Sequence, residues 1–410
     1  MNKSIKTLRT LAKIYFELSQ EDKNKTNLVL HRDVNDLKST HPVVLIDEVP
    51  WHEMNIGNQL TLVCEDPYLR EVEDFLRKKI FQYRYFPGNM ILTPYIPINK
   101  IIHSTGIGVS VEDDTISQND GNHIVSHAYH DQLATEEDLL KLHNPVITYD
   151  KATTLKQYQL IGDVLGDIIP IRITGRDHLG VGTWDDISYY RGVTPLLMDL
   201  IDRPEFTHKM VRKLTDIAIF TMNEYERLGL FDINPTSLHC TPIAVSALHP
   251  HKDSDNVTLK NIWGRGAAQI LASASKQMRD EFDIKYMQET IGQCGLSYYG
   301  CCEPLDQQID IVEKLPNLRK ISITPWANVD IAAEAINTKY VLSSKPNPAS
   351  VAVSQLNEDA LRKELTHILD ACKRNNCSCD IVLKDISTCG HNPQNLIKWE
   401  KIAMELVNQY

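Results

Sequence analysis

The sequence has no surplus of positive charge. Its 43 lysines and arginines stand against 54 acidic residues, for a net charge of −11. That balance leaves nothing to neutralise a phosphate backbone and argues against a nucleic-acid partner. There is no uninterrupted apolar run of about 18 residues, so no membrane span is expected. The N-terminal segment lacks an apolar stretch followed by a cleavage site, so no signal peptide is expected. Gly-x-Gly-x-x-Gly, Gly-x4-Gly-Lys-Ser/Thr, Gly-x-Ser-x-Gly and His-Glu-x-x-His are all missing, which removes nucleotide cofactors and serine hydrolysis from the leading functions. No internal repeat and no low-complexity tract occurs. The nine cysteines are an odd number in a long chain, and they read as reduced thiols of a cytoplasmic protein rather than as a disulfide framework.

What is present is an alternation of short apolar runs and amphipathic segments. Leu8, Leu11, Ile14, Tyr15 and Leu18 follow helical spacing, and residues 1–40 read as an N-terminal helical extension. Buried strands are expected at 41–48, 89–93, 168–174, 236–240, 295–301, 319–324, 340–344 and 379–386. Helices are expected at 68–85, 194–202, 205–228, 266–283, 306–314, 328–336, 357–375 and 393–408. Residues 104–134 are polar and histidine-bearing and read as a lid-like insertion. Eight strands alternating with helices over 41–410 imply a parallel sheet, and the expected α/β fold is a closed (β/α)8 TIM barrel.

In such a barrel the C-terminal strand ends converge on one mouth, where chemistry sits. Cys302 and Cys389 both lie just past strand ends, and two thiolates there are a soft half-site for Zn2+. Glu48 is the first choice for a third ligand; His239, Glu303 and Cys301 are the alternatives. His52 and Glu53, after the first strand, are candidate catalytic acids or bases. Trp51, Tyr298 and Tyr299 are candidate walls of an aromatic substrate pocket, suited to an aryl ether or a quaternary ammonium group, and Lys345 a candidate anchor for a substrate anion. His123, His127 and His130 have spacing compatible with a metal cluster, but contact of a lid with substrate is preferred. Cys372, Cys377 and Cys379 fall on the opposite, stability face, and His391 reads as a surface loop residue.

The chain resembles the uroporphyrinogen decarboxylase superfamily, closest to its decarboxylase-like zinc-dependent corrinoid methyltransferases. The resemblance begins near residue 40. The first strand of true decarboxylases reads Pro-Val-Trp-Leu-Met-Arg-Gln-Ala-Gly-Arg; here Pro42-Val-Val-Leu-Ile-Asp47-Glu48-Val-Pro-Trp51 stands in its place. Asp47 and Trp51 occupy the positions of the two substrate-gripping arginines, and Leu92-Thr93-Pro94 replaces Phe-Ser-Asp. A site for a polycarboxylate needs cations, so uroporphyrinogen decarboxylation is not expected. The methyltransferase branch carries His-x-Cys after its fifth strand and a cysteine four residues before a proline after its eighth. Cys389 and Pro393 match the second feature; Cys302 matches the cysteine of the first, with Gly300 in place of the histidine.

The resemblance implies zinc-dependent movement of a methyl group between a small O-, N- or S-methyl substrate and a corrinoid. The chain lacks Asp-x-His-x-x-Gly, so the corrinoid is expected on a partner corrinoid-binding protein. A homodimer is compatible with the sequence. The alternatives are a metal-independent lyase or decarboxylase on the same barrel, and a non-catalytic partner of a corrinoid protein.

Overall fold

The computed structural model describes residues 3–116, 125–233, 237–249 and 256–410. Two helices open the chain, α1 (Lys3–Ser19) and α2 (Asp22–Asn35), and α3 (Pro67–Tyr85) follows the first strand. Nine strands pair in parallel among the described residues: β1 (Val43–Ile46), β2 (Ile96–Asn99), β3 (Ile171–Thr174), β4 (His178–Val181), β5 (Trp263–Gly266), β6 (Leu296–Tyr299), β7 (Leu318–Ile323), β8 (Val341–Ser344) and β9 (Cys379–Leu383). Seven of them form one sheet in the order β1-β9-β8-β7-β6-β5-β4, and among the described residues β2 pairs with β3 alone. Helices such as Glu358–Arg374 and Gln394–Asn408 pack against it through Leu361, Leu365, Leu396 and Trp399. The fold is therefore α/β with a parallel sheet, as expected, but no closed sheet forms among the described residues. The hydrogen-bond ladder is interrupted on both sides of the β2–β3 pair.

Two expected strands are something else. Residues 89–93 make no ladder because side chains of α2 take their peptide groups. His31 Nε2 meets the Asn89 carbonyl at 2.9 Å, Asn27 donates to the Met90 carbonyl at 3.0 Å, and the Leu92 N–H donates to Asn24 Oδ1 at 2.8 Å. Of 236–240, the described part is one arm of a two-residue antiparallel hairpin, Ser237–Leu238 with Thr241–Pro242. Conversely, β2, β4 and β5 lie outside every expected strand. The sequence of β5, Trp-Gly-Arg-Gly, carries no strand signature, and Gly264 is needed because a Cβ there would stand 2.8 Å from Ile291 Cβ. The expected helix at 266–283 is instead a 3-10 turn, one α-turn and a π-turn at Asp280–Ile284.

The described part of the 104–134 insertion contains an antiparallel pair, Asp113–Ile116 with Ser126–Tyr129. His127 and His130 pair with Asp113 and Asp114 across that ribbon rather than with each other. His123 lies outside the described residues. The N-terminal extension is not separate from the core: Leu8, Ala12, Tyr15 and Val34 share one apolar cluster with Val43 and Leu45 of β1 and Val382 of β9.

Candidate active site

The interior of the sheet holds charge. Asp380 of β9, wholly buried, accepts from Lys320 at 2.7 Å and from Thr241 at 3.1 Å, with Lys345 Nζ 3.8 Å away. Lys345 also donates to the Cys240 carbonyl and to Ser343 Oγ. These bonds bring the hairpin at 237–242 against β7, β8 and β9, and its end delivers His239 and Cys240. Both have left-handed backbone, φ 26° and 61°, a conformation that costs energy in non-glycine residues and clusters at functional sites. Glu48 past β1 (φ 51°) and Asp385 past β9 (φ 56°) share this feature.

The four converge. Among the described residues, Glu48, His239 and Cys240 are the one group of three whose ligating atoms all lie within 4.8 Å of one another. The group continues into a ring of contacts. His239 Nε2 is 3.2 Å from Cys301 Sγ, and Cys301 Sγ is 3.7 Å from Cys302 Sγ. Cys302 donates to Asp385 Oδ2 at 3.4 Å, and the Asp385 N–H donates to Glu48 Oε2 at 2.8 Å. Lys384 lies across the ring, donating to Cys301 Sγ at 3.4 Å, to Cys302 Sγ at 3.3 Å and to Asp385 at 2.7 Å. A register shift between Ser297 and Tyr298 of β6 precedes the two cysteines, a distortion of the kind that re-aims side chains beside active sites.

The electrostatics follow from these contacts. Cys301 is pulled far down, to about 3, by the hydrogen bond from Cys302; burial opposes this, and His239 and the positive charges of Lys384 and Arg265 assist. Cys302 moves the opposite way, through its contact with the Cys301 sulfur and through burial. Burial raises the Glu48 carboxyl, and the neighbouring Asp385 carboxyl adds to the rise. Burial and the charges of Asp47 and Glu48 push the Cys240 thiol up.

Other expected site residues lie apart from this ring. Cys389 donates its S–H to Glu53 Oε2 at 3.0 Å, and its backbone N–H reaches the same oxygen at 2.8 Å. No group of three ligating atoms within 4.8 Å contains Cys302 or Cys389 among the described residues. Burial pushes the Glu53 carboxyl up, but hydrogen bonds from Cys389, Thr388 and the His391 N–H outweigh it and hold it at about 2. Such a carboxylate is an acceptor that ties the 388–391 loop to the turn after β1, and a poor proton donor at neutral pH. His52 stands half-exposed 3.5 Å from it.

Tyr298 and Tyr299 cannot share a wall, because adjacent strand residues face opposite sides. Tyr298 packs with Trp263 and Leu238, whereas Tyr299 points outward, hydrogen-bonded to Asp283 and Arg279. Trp51 packs edge-on against Phe81 of α3, with Lys78 over its ring. Glu303 is fully buried and accepts the N–H groups of Ala268 and Cys301, which fixes the turn that carries the cysteines. Lys345 is an internal cation, not an anchor at the rim. Cys240, Lys384 and Asp385 were not anticipated as site residues; the strand-end position of Lys384-Asp385, four residues before Cys389, was the available signal.

No protein-family model matches the sequence, and no curated protein matches it. Among solved structures the fold is similar to that of a methyltransferase from Methanosarcina mazei, with a TM-score of 0.50 and 12% identity over 93% of this chain and 98% of that one. At that identity the likeness concerns the fold.

Proposed function

We propose that the chain is a methyltransferase whose site is the ring of Glu48, His239, Cys240, Cys301 and Cys302. The observation that carries this reading is the convergence of a carboxylate, an imidazole and a thiol within 4.8 Å, with the Cys301 sulfur 3.2 Å from the same imidazole. The shared fold with a methyltransferase agrees with it. One oxygen, one nitrogen and one or two sulfurs are a donor set that suits zinc, and three protein ligands leave a position for substrate. Bound there, zinc would supply Lewis acidity toward the heteroatom that carries the methyl group.

The remaining work falls to the chain itself. Lys384 neutralises sulfur charge and holds Cys301 and Cys302 side by side. Asp385 takes the Cys302 proton in a hydrogen bond and orients Glu48. The methyl group moves between the heteroatom of a small methylated substrate and a corrinoid brought by a separate binding protein. The Glu48–Asp385 contact favours a second reading: two carboxyl groups that share a proton make a donor, as a metal-free lyase would need.

Metal analysis separates the two. Wild type purified without chelator is expected to hold about one zinc per chain. His239→Ala and Cys240→Ser are expected to lose it while circular dichroism and melting stay close to wild type, and Cys389→Ser to keep it. Cobalt substitution of the wild type, read as a thiolate-to-cobalt absorption band, guards against misfolded variants. Wild type that carries no metal and gives no such band would overturn the methyltransferase reading and leave the lyase.

A further inference from the structure

A cavity of about 440 Å3 lies where the sheet is interrupted, bounded by Ile46 of β1, Pro97 of β2, Thr174 of β3 and His178 of β4. A second hollow of about 400 Å3 contains Glu48 and Trp51. The two share Asp47, Phe75, Lys79 and Gln82, so these residues stand where the cavity meets the Glu48 side of the ring.

Two of the shared residues carry opposite charges without an ion pair. Lys79 donates no hydrogen bond and forms no ion pair among the described residues, whereas its neighbour Lys78 is paired with Asp74 at 2.6 Å. Burial lowers the Lys79 pKa, and the charge of Asp47 only partly restores it. The Asp47 carboxylate accepts the Glu48 N–H at 2.9 Å and has no cation within ion-pair distance among the described residues. The other acid on the wall, Asp177, holds His178 at 2.7 Å. Lys79 and Asp47 thus feel each other across the cavity without touching. The Lys79 ammonium lines the cavity with no protein anion in contact among the described residues, so a ligand carboxylate is a partner it can take. A ligand that satisfies both residues must carry both charges. The volume suits a small molecule, and the rings of Tyr15, Phe75 and Tyr95 on the wall favour an alkylated cation.

We propose that this cavity binds a small zwitterion of the N-methylated amino acid or betaine class, its carboxylate on Lys79 and its ammonium toward Asp47. As a statement about the methylated substrate this rests on the methyltransferase reading; as a statement about binding it stands alone.

Calorimetric titration of the full chain with three isosteric probes tests it: glycine betaine carries both charges, choline the cation only and 3,3-dimethylbutyrate the anion only. Betaine is expected to bind at least about tenfold more tightly than either. Lys79→Met is expected to abolish the preference for betaine over choline, and Asp47→Asn the preference over dimethylbutyrate. Lys79→Arg, which keeps the charge, is expected to retain both and controls for folding. Equal affinity for all three probes, no binding of any, or betaine binding unchanged in Lys79→Met would overturn the proposal. Zinc measured on the same preparations keeps the two readings apart. Binding without metal removes only the methyltransferase, and metal without binding removes only the zwitterion.

Discussion

Asp380 shows how much one side chain can organise. It sits between two buried lysines and two hydroxyl groups. Burial raises its carboxyl, but Lys320 and Lys345 hold it below the usual range, and burial pushes Lys320 down to about 8. Replacing the aspartate leaves two ammonium groups in an apolar interior without their counter-charge. Asp380→Ala is therefore expected to lower unfolding free energy by about 3–5 kcal/mol in denaturant titrations. Asp380→Asn, which keeps the volume and loses the charge, is expected to cost nearly as much; an asparagine variant as stable as wild type would show that packing, not charge, is what Asp380 provides. From the sequence, Asp380 is a lone acid in an apolar strand. Its partners stand 35 to 139 residues away in the chain and could not be paired with it by pattern.

At the scale of elements, most strands and helices followed from periodicity. Two of the exceptions share a cause: a neighbouring element replaced the usual local signal. In 89–93, asparagine and histidine side chains of α2 substitute for a strand ladder. In β5, glycines replace β-branched residues because the turn at Ile291–Gln293 packs directly on the backbone. Gly264→Ala would drive its Cβ to 2.8 Å from Ile291 Cβ and 2.9 Å from the Ile291 carbonyl oxygen, and the latter, as backbone, cannot rotate away. A loss of about 1–3 kcal/mol is expected, as in overpacked cores. The melting temperature of Gly264→Ala is the check, and an unchanged value would mean that the turn moves freely.

For the molecule as a whole, α1 and α2 share an apolar cluster with the sheet. His31 of α2 is buried, faces the cavity and binds the Asn89 carbonyl. Burial lowers its pKa from 6.5 to about 4. A neutral histidine in the folded state competes with a protonated one in the unfolded state. The stability it allows is fully present above pH 6.5 and is lost as pH falls toward 4, by up to about 3 kcal/mol. Urea midpoints at pH 7 and pH 5 are expected to differ less in His31→Gln than in wild type. An equal acid loss in both would place the sensitivity elsewhere. No helix among the described residues is long and apolar enough to cross a membrane.

Period and composition alone determined an α/β chain with parallel strands, because alternation and burial are local properties of the chain. Cys302, Glu48 and the alternatives His239, Glu303 and Cys301 could be drawn from strand-end positions for the same reason. Which of them meet was decided only by tertiary structure. Sequence offset suggested Cys389 as the partner of Cys302, yet the Glu53 carboxylate holds that thiol, while a hairpin pinned by Lys345 and Asp380 carries His239 to Cys301. The open seam and its cavity are likewise invisible in the sequence, since they arise from hydrogen bonds that two sheet edges do not make.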